Sequence, residues 1–252
     1  MPSRVIAVAN CKGGTGKTTT AVNVSAELAR RGRRVLLVDL DPQGHAGFGF
    51  GVFAAKGDLT AHDFLGEGGH DMARAIRPTR SAGVDVLPAD RSFRVRSASE
   101  DQRRLSAALA TLGERYDTVV IDTPPAAEAP LRAALAAAGG VLIPTQLQHL
   151  TYDGLMQLSR LVFETALGVN PTLRDLAIVP VQVDIRMHLQ QRILAELLME
   201  FGHERIFRGI RTDVALAEAF GSHCPVHDHR RSSRGARDYD LLAEDVVRFW
   251  KI

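Results

Sequence analysis

The chain has 252 residues, 45% of them hydrophobic and 24% charged, with a formal net charge of +2. That length is enough to bury a substantial core, and the near-neutral balance does not by itself imply a nucleic-acid partner. Two cysteines, Cys11 and Cys224, cannot build a disulfide framework and suit a reducing cytoplasm. The longest apolar stretch, 133–143, is interrupted by Gly139 and Gly140 and cannot cross a bilayer; the first residues lack a signal core, so export is not expected.

In chain order, 5–9 is a short run with β-branched members, suited to a buried parallel strand. A glycine-rich octet follows, then a helix over 20–32 with Ala21, Val24 and Leu28 at helical spacing and Gly32 as its stop. A second strand over 33–39 runs into the acidic segment 39–44. The stretch 47–83 has weak periodicity and reads as loops and short helices at the edge of the domain. Further strands are expected at 84–88, 118–122, 140–144 and 176–183, and helices at 102–115, 153–166 and 190–201. Strands apolar on both faces and alternating with helices predict an α/β fold: a mostly parallel twisted sheet with helices on both sides, in one domain spanning 1–252.

The octet Lys12-Gly13-Gly14-Thr15-Gly16-Lys17-Thr18-Thr19 holds two of only four lysines in the chain. Its strand–loop–helix setting is that of a phosphate loop. Glycines let backbone N–H groups turn onto phosphate oxygens, Lys17 places a charge at the β/γ-phosphates, and Thr18 offers a hydroxyl to Mg²⁺. Cys11 stands where the general phosphate-loop pattern requires its first glycine. The narrower pattern K-G-G-x-G-K-[ST] fits without mismatch, and Lys12 is its extra cation. Asp39, Asp41 and Asp122 close apolar strands, the place where ligands of open α/β sheets sit. Asp122 has the Walker B arrangement for Mg²⁺, Asp41 suits activation of a water aimed at the γ-phosphate, and Asp39 serves either Mg²⁺ or the loop beside it.

The octet, the segment 39–44 and the segment 116–125 together resemble the ParA/MinD superfamily of deviant Walker A ATPases, closest to the ParA-type partitioning ATPases. The P-loop NTPase fold and Mg-ATP as ligand follow from that resemblance. It further implies an ATP-dependent sandwich homodimer in which Lys12 reaches the partner's phosphates and Gly13 lies where the two loops approach. It also implies slow hydrolysis until a ParB-like or cargo-adaptor protein stimulates it, and nonspecific binding of the nucleoid by the ATP dimer in the cytoplasm. At Ala215 and Cys224 the family commonly carries basic residues, so DNA contact here falls to other side chains. Seven arginines against three acids lie between 205 and 237. Of these Arg208, Arg211, Arg230, Arg231, Arg234 and Arg237 are the expected phosphate contacts.

The segment 223–229, with three histidines and one cysteine, lacks the second ligand pair of a zinc site and reads as a polar loop. The amphipathic tail 239–252 has three acids before its two bases, which suits packing on the domain rather than an anionic membrane. The alternatives are a MinD-like membrane-surface ATPase switch and an ATP-dependent metabolic enzyme of the same superfamily.

Overall fold

Strands without a polar side need cover on both faces, and helices among the described residues supply it. The computed structural model describes residues 4–67, 69–94, 101–126, 128–149 and 151–252. Its strands are β1 (Arg4–Val8), β2 (Val35–Asp39), β3 (Arg77–Pro78), β4 (Val84–Leu87), β5 (Thr118–Asp122), β6 (Gly140–Gln146), β7 (Asp175–Val183) and β8 (Ile210–Arg211). They form one sheet in the order β3-β4-β2-β5-β1-β6-β7-β8, parallel throughout except for β3 against β4.

Alternate residues of each strand feed two cores. Ala7, Leu36, Val38, Val119, Ile121 and Ile143 face one side, under α3 (Arg104–Ala110), α4 (Ala129–Ala137), α5 (Thr151–Gly168) and α6 (His188–Phe201). Ile6, Val8, Val35, Leu37, Val120 and Leu142 face the other. There α1 (Lys17–Arg30), α2 (His45–Gly49), α7 (Val214–Gly221), α8 (Val226–His229) and α9 (Arg234–Trp250) pack. The tail does pack on the sheet: Ala236, Tyr239, Leu242, Ala243, Val246 and Trp250 of α9 are all buried.

Several boundaries differ from expectation. The helix predicted at 20–32 begins at Lys17, because Gly16, with φ 76°, turns the loop directly into it. The helix predicted at 102–115 keeps helical geometry for only seven residues, 104–110. Helix α4 was not anticipated; its alanine-rich, largely buried sequence carries no amphipathic contrast. Strands β3 and β8, of two residues each, are too short for any periodicity to register.

Candidate active site

Adjacent order β2-β5-β1 brings three strand ends together. Asp39 and Asp122 are register partners, and Val8, the residue before the loop begins to leave the sheet, pairs with Asp122. The octet therefore arches over two carboxylates that are 83 residues apart in the chain. Asn10 pins its start: its Nδ2 donates to the Pro144 carbonyl at 2.8 Å, and its Oδ1 accepts from the Lys12 amide at 2.9 Å. Gly14 and Gly16 take left-handed backbone, which turns the amides of the loop.

The two lysines part company here. Lys17 is buried, and its Nζ donates to the Lys12 carbonyl at 2.8 Å, across the loop. Burial lowers its pKa, and Asp122 followed by Asp41 opposes that fall. Lys12 is half-buried with its stem along α5; a methyl at Gly154 would stand only 3.4 Å from its Cγ. Gly13 is exposed, and a side chain there would meet nothing within 4 Å of its Cβ in this chain. Any obstruction at Gly13 must therefore come from a second molecule.

Burial raises the Asp39 pKa to about 7, tempered by the Gly47 amide and increased by Asp41. Burial likewise raises Asp122, and the neighbouring Asp39 adds to it while Thr18 opposes it. The oxygens of Asp39 are engaged: Oδ2 accepts from Gly47 N at 3.0 Å and Oδ1 from Asp41 N at 3.2 Å. Of the two roles expected of Asp39, the structure shows the loop clamp. Both oxygens of Asp122 are buried without a properly directed donor. Two adjoining carboxylates, one lacking hydrogen bonds, beside a threonine hydroxyl and below a phosphate loop, fit a divalent cation. Asp41 is part-exposed at the rim, its Oδ1 accepting from Gln43 N at 2.9 Å.

Beside the loop lies a cavity of about 400 Å³, lined among others by Gly16, Thr19, Gln182, Thr212, Ala217 and Phe220. Sequence reasoning missed Asn10, Gly154 and Gln182; Gly154 and Gln182 fall inside the helix expected at 153–166 and the strand expected at 176–183, where periodicity marks only the apolar positions.

The arginines divide. Arg208 donates to Asp245 and Glu244, and Arg211 grips both oxygens of Asp238, so α9 holds these two of the expected DNA contacts. Arg230 pairs with Glu218 at 3.1 Å. Arg231, Arg234 and Arg237 gather with Arg211, Asp240 and Arg30, the last not included by sequence reasoning, around a hollow of about 740 Å³ at the N-terminus of α9. The histidines of 223–229 disperse: His223 to the Phe48 carbonyl, His227 to Glu27, His229 to Glu218.

The AAA_31 family, described as an AAA domain, matches residues 3–175. The chromosome-partitioning ATPase Soj of Thermus thermophilus is 39% identical over 244 residues, covering 97% of this chain and 95% of that protein. A structure of Mycobacterium smegmatis cobyrinic acid a,c-diamide synthase with ADP and magnesium superposes with a TM-score of 0.83 at 31% identity, covering 100% and 96% of the two chains. MinD of Pyrococcus horikoshii with Mg-ADP gives a TM-score of 0.79 at 25% identity, covering 96% and 95%. With its paired lysines, carboxylate-tipped strands and parallel sheet, the chain belongs to the ParA/MinD superfamily of deviant Walker A ATPases, among its ParA-type partitioning members.

Proposed function

We propose that the chain is an ATP-operated switch, one ATPase domain over 1–252, that pairs face to face on Mg-ATP and then holds DNA without regard to sequence. The observation that carries this reading is the unpartnered Asp122 carboxylate beneath the octet, beside Thr18 and the inward-turned Lys17. Thr18 and Asp122 would hold Mg²⁺, with Asp39 fixing the loop that carries Asp41. A cation held there would neutralise phosphate charge. Lys17 and the loop amides position the triphosphate, the cavity beside Gly16 seats the base, and Asp41 orients the attacking water. Lys12, with its stem on α5, serves the partner's phosphates.

On this reading hydrolysis is slow until a ParB-like or cargo-adaptor protein stimulates it, and the protein works in the cytoplasm and on the nucleoid. Arg231, Arg234 and Arg237 supply the phosphate contacts, since no carboxylate stands within ion-pair distance of them among the described residues. A membrane-surface switch is disfavoured because the apolar face of α9 is buried on the sheet. Similarity to a protein named as a diamide synthase raises the metabolic alternative. Amide transfer from glutamine calls for a reactive thiolate, and burial raises the pKa of both Cys11 and Cys224.

Co-sedimentation with random duplex DNA tests the reading, run with ATP, ADP or no nucleotide beside anionic liposomes. DNA should be retained with ATP alone, and the double variant Arg231→Glu/Arg234→Glu should lose at least about tenfold in affinity. Equal retention by that variant would reject this surface, and preferential pelleting with liposomes would favour the membrane reading.

A further inference from the structure

Gln182 sits at an irregularity. The β7–β8 register breaks between Val181 and Val183, and Gln182 itself has φ 54°, a conformation side-chain-bearing residues rarely adopt. Bulges of this kind re-aim a side chain, and strain of this kind is kept where the surroundings demand it. Here the side chain is delivered to the cavity beside Gly16 and Thr19.

The hydrogen bonds also decide which end of the amide is presented. Gln146 donates its Nε2 to the Gly14 carbonyl at 3.1 Å, and a carbonyl only accepts, so the Gln146 amide orientation is fixed. The same Nε2 donates to Gln182 Oε1 at 2.9 Å. Gln182 must therefore turn its oxygen to Gln146 and its NH₂ away. Among the described residues no acceptor takes that NH₂.

We infer that Gln182 is a specificity-determining residue for the nucleotide, a fixed donor that takes N1 of adenine and opposes the N1–H of guanine. The inference rests on the reading that this cavity seats the base. Gln146 is then a positioning residue, coupling the orientation of the base reader to the phosphate loop through Gly14.

Gln182→Glu tests this sharply. A carboxylate still accepts from Gln146 and so keeps the loop contact, but it replaces the donor with an acceptor. Its charge acts on either nucleotide alike and cancels in their ratio. By calorimetric titration the unaltered protein should prefer ATP to GTP at least about tenfold. In Gln182→Glu that ratio should fall about five- to tenfold. An ATP/GTP ratio unchanged within about twofold would overturn the role of Gln182. A separate variant, Ala217→Trp, narrows the cavity and should weaken ATP at least about tenfold while sparing tripolyphosphate. Undiminished ATP affinity in Ala217→Trp would remove the base seat itself, a different failure from the first.

Discussion

Lys12 and Lys17 are the same residue type in one octet, yet their surroundings differ. Lys17 is 7% exposed and anchored on a carbonyl of its own loop; burial lowers its pKa, and Asp122 and Asp41 oppose that fall. Lys12 instead lies against α5, where the missing side chain of Gly154 leaves room for its stem. Under the proposed face-to-face pairing, a cation supplied to a partner's phosphates contributes little to holding nucleotide in its own site and stabilises the charge that develops during transfer, as an arginine finger does. Lys12→Ala should therefore change ATP affinity by no more than about threefold while turnover falls about a thousandfold. Steady-state hydrolysis beside equilibrium binding separates the two, and unaltered turnover would reject the trans role. The octet and the three aspartates were legible in the sequence because each is a local pattern with its own chemistry. Asn10, Gly154 and Gln182 were not, since their significance lies in neighbours 134, 142 and 166 residues distant, at Pro144, Lys12 and the Gly16 rim.

At the scale of elements, α9 shows how the end of the chain sets the start of the site. Its aromatic terminus, Trp250, lies flat against β6 where Gly140 has no Cβ; a methyl there would stand 2.6 Å from Trp250 Nε1. Arg4 of β1 lies over the same ring at 5.8 Å, and Phe207 and Phe249 pack on it edge to face. The acidic side of α9 holds Arg208 and Arg211, which fixes β8 and the segment leading to the base cavity. Trp250→Ala should therefore cost about 3–5 kcal/mol in urea unfolding, the usual penalty for emptying an aromatic core position. A loss below about 1 kcal/mol would mean that the helix docks without its last turn. The alternation of apolar residues made α9 predictable as an amphipathic helix. Its partners were a matter of packing, and the opposite assignment of Arg208 and Arg231, ion pair against open hollow, depends on which carboxylates α9 brings near.

For the whole molecule, the proposed pairing turns on the exposed Gly13 beside Lys12. Under the proposed function Asp122 holds the cation and Asp41 orients the water, while Lys12 serves the second copy. Removing the water-activating group should hold the assembly at the ATP-bound stage. Asp41→Ala with Mg-ATP should elute from size exclusion at twice 27.4 kDa, and with ADP at the monomer volume. A monomer with ATP would contradict the sandwich.

By itself the sequence determined the fold class, the phosphate loop and the acidic strand ends, because strand–loop–helix periodicity and glycine-rich spacing are written in contiguous residues. Only the tertiary structure decided that Asp39 clamps a loop while the Asp122 oxygens lack hydrogen bonds, which arginines remain outside ion pairs among the described residues, and that Gln182 lines the cavity beside Gly16. These depend on strand order and register, and a parallel sheet makes neighbours of residues that no local pattern relates.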